Sequence, residues 1–60
     1  MASDEARRLL KMFGVAVTRL EDAIDARAPV DEIARLDAEL ATCWRDVETF
    51  VERLRSRRIA

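Results

Sequence analysis

Sixty residues carrying a net charge of −1, 38% of them charged and 50% hydrophobic, bound the chain to one small domain and exclude disorder. One Cys and no His exclude an intrachain disulfide and a Cys/His zinc site. No stretch nears the ~20 apolar residues of a membrane span, and a single Gly and single Pro amid many Ala, Leu, Arg and Glu make this a helix composition, hence an all-α fold.

The first element is a helix over about residues 3–27. Ser3, followed by Asp4 and Glu5, is a start signal. Apolar residues then recur as Ala6, Leu10, Phe13, Val17, Leu20 and Ile24 in alternating steps of three and four. Gly14 interrupts this helix, at a cost of about 1 kcal/mol relative to Ala. The break comes at Arg27-Ala28-Pro29, because proline disfavours a helical residue before it and suits a first helical turn. Residues 28–29 form the turn.

Helix 2 follows over about residues 30–57, with Asp31 and Glu32 where acids favour a helix start. Its stripe is Ile33, Leu36, Leu40, Cys43, Val47, Phe50 and Leu54. A link this short folds the second helix back on the first, so residues 1–60 form one antiparallel helical hairpin. Facing residues then have numbers summing to about 57. Phe13 lies over Cys43, Phe50 over Ala6, and Trp44 across from Gly14, which is either the space its indole fills or a tolerated helix glycine marking a local kink.

Two helices cannot hide all the apolar surface. Leu9, Met12, Val15, Ala16 and Ala23 on helix 1, with Val30, Trp44 and Val51 on helix 2, fall outside those stripes and form a candidate interface. A second hairpin covering them gives a four-helix bundle, and a two-fold homodimer is the commonest symmetric solution.

Charge is segregated. Residues 1–19 and 53–60 hold eight basic residues against two acids, while residues 20–52 hold ten acids against three arginines. The chain ends thus make a basic pole and the turn an acidic one. Arg7, Arg8, Lys11, Arg53, Arg55, Arg57 and Arg58 are the residues a polyanion would contact. The low overall charge and the absence of interleaved aromatics in Arg53–Arg58 favour a solvated, dipole-complementing tail over nucleic-acid binding.

No catalytic constellation emerges. There is no His to act as acid, base or activator. The only Gly lies inside a predicted helix, so no loop can cradle phosphate. Glu21, Asp22, Asp25, Asp37 and Glu39 read as a solvated face, and Cys43 as an inert core thiol. No enzyme, metal or cofactor is therefore expected. The acidic opening MASDEARR lacks a signal peptide's basic start, and a lone thiol suits a reducing compartment, so the expected location is cytoplasmic. The absence of Asn, Gln, His and Tyr suggests a GC-rich bacterial source.

In length, in its two heptad-patterned helices and in its short turn, the chain resembles the small plasmid RNA-binding proteins of the Rop type. The resemblance is one of plan. It implies an antiparallel four-helix dimer that binds RNA on one helical face, where Arg7, Arg8, Lys11, Phe13 and Arg19 would lie; the stripe above gives Phe13 to the core instead. The expected function is a non-enzymatic oligomerisation or interaction module, such as an adaptor, accessory or regulatory subunit. Its alternatives are a nucleic-acid-binding bundle and a docking or inhibitory factor for a larger protein.

Overall fold

Ser3 starts the first helix as its sequence context predicts. Its backbone is extended, and its hydroxyl oxygen accepts the Ala6 N–H at 3.0 Å, satisfying one of the donors that a helix start leaves open. In the computed structural model, which describes residues 2–59, helix α1 spans Asp4–Asp25 and helix α2 spans Val30–Ile59. The described residues contain no strand. None of the helices is long and apolar enough to cross a membrane.

Helix α1 ends two residues earlier than Arg27, and the link is residues 26–29 rather than 28–29. The cause is a closing turn. Arg27 takes a left-handed backbone, φ 56°. The Ala28 N–H reaches back to the Ala23 carbonyl at 2.9 Å, and the Arg27 N–H to that of Ile24 at 3.1 Å. These paired bonds satisfy carbonyls that the helix end leaves open, an arrangement in which glycine usually holds the left-handed position. Pro29 then precedes α2, its carbonyl accepting the N–H groups of Glu32 and Ile33 at 3.0 and 3.1 Å. Proline suits that place because it has no N–H to leave unpaired.

The two helices pack antiparallel in the expected register. The rings of Phe13 and Trp44 are 5.6 Å apart. Arg19 pairs with Glu39 at 3.7 Å, and Glu5 with Arg53 at 2.8 Å. The numbers in each pair sum to 57 or 58.

Helix α2 turns the expected face inward over Ile33, Leu36, Leu40, Cys43, Val47 and Phe50, all buried or half-buried, although Leu54 is exposed. Helix α1 is rotated by one position. Its inner stripe is Leu9, Phe13, Ala16, Leu20 and Ala23, whereas Leu10, Val17 and Ile24 face solvent. Leu9, Ala16 and Ala23, expected on an outer interface, therefore lie within the hairpin. Both stripes have heptad spacing, so periodicity alone does not choose between them. Alanines at the contact let the helices approach closely, and Ala16 and Leu36 are the buried residues there.

Trp44 also departs from expectation. Its indole leans on Phe13, and Gly14 faces outward with nothing within 4 Å of where a Cβ would stand. The packing of Trp44 over Gly14 within one chain is thereby overturned.

The helices differ in length, about 33 Å for the 22 residues of α1 and about 45 Å for the 30 of α2. Residues beyond Leu54 therefore run past the start of α1. This overhang carries Arg55, Arg57 and Arg58, of which Arg57 and Arg58 sit in the last turn, where cations complement the helix dipole.

Candidate helix-packing interface

The interior of the hairpin is thin. Among the described residues only Ala16 and Leu36 are buried, Leu36 at 5% exposure. Eight large apolar side chains are exposed instead: Leu10, Met12, Val15, Val17, Ile24, Val30, Trp44 and Leu54. The molecule measures 47 × 19 × 12 Å, with a radius of gyration of 14.3 Å against about 10 Å for a compact chain of this length.

These side chains divide between the two broad sides of the hairpin. One side is marked by the Arg19–Glu39 and Glu5–Arg53 ion pairs. It carries a groove formed by Met12, Val15, Ala16, Thr42 and Cys43, rimmed by Lys11, Arg19 and Glu39. Cys43 is half-buried on its floor, with its sulfur 3.9 Å from the Met12 carbonyl oxygen.

The other side is marked by the Phe13–Trp44 contact. Leu10, Val17 and Ile24 recur there at intervals of seven, one position round from the inner stripe of α1. From α2 come Val30, Trp44 and Val51, also spaced by sevens with Asp37 between. Leu10 is 61% exposed, Ile24 53%, Trp44 49% and Val30 82%, while Val51 is half-buried. Residues at heptad intervals that remain apolar and exposed have the form of a helix-packing surface.

The sequence-predicted interface is thus split three ways. Leu9, Ala16 and Ala23 lie inside the hairpin, Met12 and Val15 line the groove, and Val30, Trp44 and Val51 lie on the opposite side. Leu10, Val17 and Ile24, missed as surface residues, complete that second side. The signal that could have found them is that α1 carries two apolar stripes, one rich in alanine and the other in branched residues.

The candidate polyanion contacts Arg7, Arg8, Lys11, Arg53, Arg55, Arg57 and Arg58 are all exposed. Several are engaged locally: Arg7 with Asp4 at 3.8 Å, Arg53 with Glu5, and Arg55 with Glu52 at 2.6 Å. Arg53 also stands 5.6 Å from the centre of the Phe50 ring. Phe13, named with the RNA-binding plan, is half-buried against Trp44. Glu21, Asp22, Asp25, Asp37 and Glu39 are exposed, and among the described residues no three His, Cys, Asp or Glu side chains gather as a metal would require.

No protein-family model matches the chain, and no curated protein or solved structure is significantly similar to it.

Proposed function

We propose that this chain is a non-enzymatic helical association module that acts as a homodimer, two hairpins forming a four-helix bundle. The observation that carries this reading is the turning outward of Leu10, Val17, Ile24 and Trp44 while alanines fill the hairpin contact. Fully burying one such side chain is worth about 1.5–3 kcal/mol, more than a hairpin with two buried residues among those described can readily forgo.

The surface area supports the same reading. The hairpin exposes 5040 Å². A compact monomer of 6.9 kDa exposes about 4,000 Å². The excess, about 1,000 Å², is close to the roughly 800 Å² that one partner contributes to a standard interface. Sedimentation equilibrium from 1 to 500 µM tests the proposal. A mass twice that of the chain is expected; a folded monomer throughout would sink it and leave the exposed side as a docking surface for a different, larger protein.

A second reading is favoured by the overhang, which extends Arg55, Arg57 and Arg58 past α1 at the pole that also holds Arg7 and Arg8. That pole would contact a polyanion through phosphate-type, salt-sensitive interactions. A gel shift with structured RNA at low salt, abolished by charge reversal at Arg7, Arg8, Arg57 and Arg58, would support it. Absence of any shift would remove it.

A further inference from the structure

We infer that the groove of Met12, Val15, Ala16, Thr42 and Cys43 takes a free single-chain amphiphile with an anionic head, its alkyl chain lying along the crevice between the helices and its carboxylate meeting Lys11. The groove lies across the molecule from the proposed dimer contact, so it stays open in a dimer, with one ligand per chain.

The lining suits a chain. The groove has a volume of about 440 Å³, within the range of about 300–1,000 Å³ found for small-molecule sites. Met12 is 50% exposed and Val15 47%, and a dimer formed through Leu10, Val17, Ile24 and Trp44 leaves both uncovered. The polar hydrogens of the floor are already engaged. The Thr42 hydroxyl donates to the Ala38 carbonyl at 3.2 Å, and the Cys43 thiol to that of Met12 at 3.9 Å. A polar ligand laid there would give up water without regaining its hydrogen bonds, whereas an alkyl chain loses nothing. From Lys11 to Arg19 the rim runs about 12 Å along α1. An extended chain of about eight to ten carbons has that length.

The two ends of the groove differ in charge. At the Arg19 end the guanidinium is answered, because Glu39 stands 3.7 Å from it and 3.4 Å from Arg35. At the other end Lys11, the chain's single lysine, forms no ion pair among the described residues. Neither does Arg8, one turn before Met12 on the same face. Asp46, level with Lys11 in the register of the hairpin, is the acid there and is also without an ion pair among the described residues. Two cations against one acid leave this mouth positive, so an anionic head belongs at Lys11 and the tail points toward Arg19. Lysine suits the place, since its apolar stem lines the groove while its ammonium stays in water at the rim. A cationic head is repelled at Lys11 and meets at the far end only Glu39, which two guanidinium groups already share.

Proton–nitrogen correlation NMR of the full chain tests this, with decanoate and decyltrimethylammonium titrated separately below their micelle concentrations. Decanoate is expected to shift the amides of Met12, Val15, Thr42 and Cys43 saturably and to leave those of Ile24 and Val51, on the other side, in place. It should bind about tenfold more tightly than the cationic amphiphile, a comparison that needs no variant. Lys11→Glu is expected to weaken decanoate about tenfold and to remove the preference between heads. Arg45→Glu, the same change of net charge away from the groove, should alter neither, and circular dichroism checks the helicity of both variants. Equal affinity for the two heads, an equal loss from Arg45→Glu, shifts centred on Ile24 and Val51, or no saturable shift at millimolar decanoate overturns the site. Each of these results leaves the homodimer reading to be decided by mass alone.

Discussion

At Arg27 a long, charged residue occupies a left-handed backbone, φ 56°, which costs an L-residue about 1–2 kcal/mol. Gly has no Cβ to clash there. Arg27→Gly should therefore stabilise the hairpin by about 1 kcal/mol, after allowance for the extra freedom glycine has when unfolded, and urea denaturation would measure it. Ser3 is the opposite case. Its hydroxyl is the acceptor for the Ala6 N–H, so Ser3→Ala should lose about 1 kcal/mol, and Ser3→Asp should retain most of it. Equal stability of Ser3→Ala and the parent would contradict the cap. Both sites were partly legible in sequence. Ser followed by acids announces the cap, but nothing about an arginine announces a left-handed turn, and the expected extension of α1 to Arg27 missed it for that reason.

Each helix shows where pattern reading succeeds and where it stops. On α2 the large residues form one stripe, from Ile33 to Phe50, and that stripe is inside. On α1 there are two stripes of equal period, and hydrophobicity alone favours Leu10, Val17 and Ile24 over Leu9, Ala16 and Ala23. The choice is made by the opposing helix, whose Leu36 and Leu40 need small neighbours to close-pack, and a single helix's periodicity does not contain that information. Two substitutions distinguish the stripes. Ala16→Leu should overpack the hairpin and cost about 1–3 kcal/mol. Val17→Ala should leave the helicity of a dilute, dissociated chain almost unchanged while weakening association. If Ala16→Leu proved harmless and Val17→Ala unfolded the chain, the inner stripe would be the other one. Leu36→Ala removes the most buried large side chain and should cost about 2–5 kcal/mol, a substantial part of what a chain this small possesses.

At the scale of the molecule, the proposed self-association would tie stability to concentration. A hairpin with two buried residues among those described and a 47 Å long axis has little interior of its own, so on the proposed self-association its melting temperature should rise with concentration. A melting temperature constant from 1 to 500 µM would mean that the hairpin is self-sufficient. Added salt should weaken association modestly, since the polar segregation of charge orients the subunits more than it binds them. The hairpin, its register and the surplus of apolar surface were legible in the sequence. Which side carries the wider surface was not, because Met12 and Val15 lie across the molecule from Trp44 and Val51, and only the rotation of α1 separates them.

The closing turn also sets the order of events in time. Loop-closure entropy grows only by about 0.6 kcal/mol per doubling of length, so the contacts from Arg19–Glu39 outward to Glu5–Arg53 can add in sequence, once the chain has reversed, like the teeth of a zip. Arg27, with its left-handed backbone, is the strained link of that reversal. Relieving that strain should then quicken refolding in stopped-flow experiments by about fivefold and leave the unfolding rate nearly untouched. An unfolding rate that slowed instead would place the bend late on the path, after the helices had met.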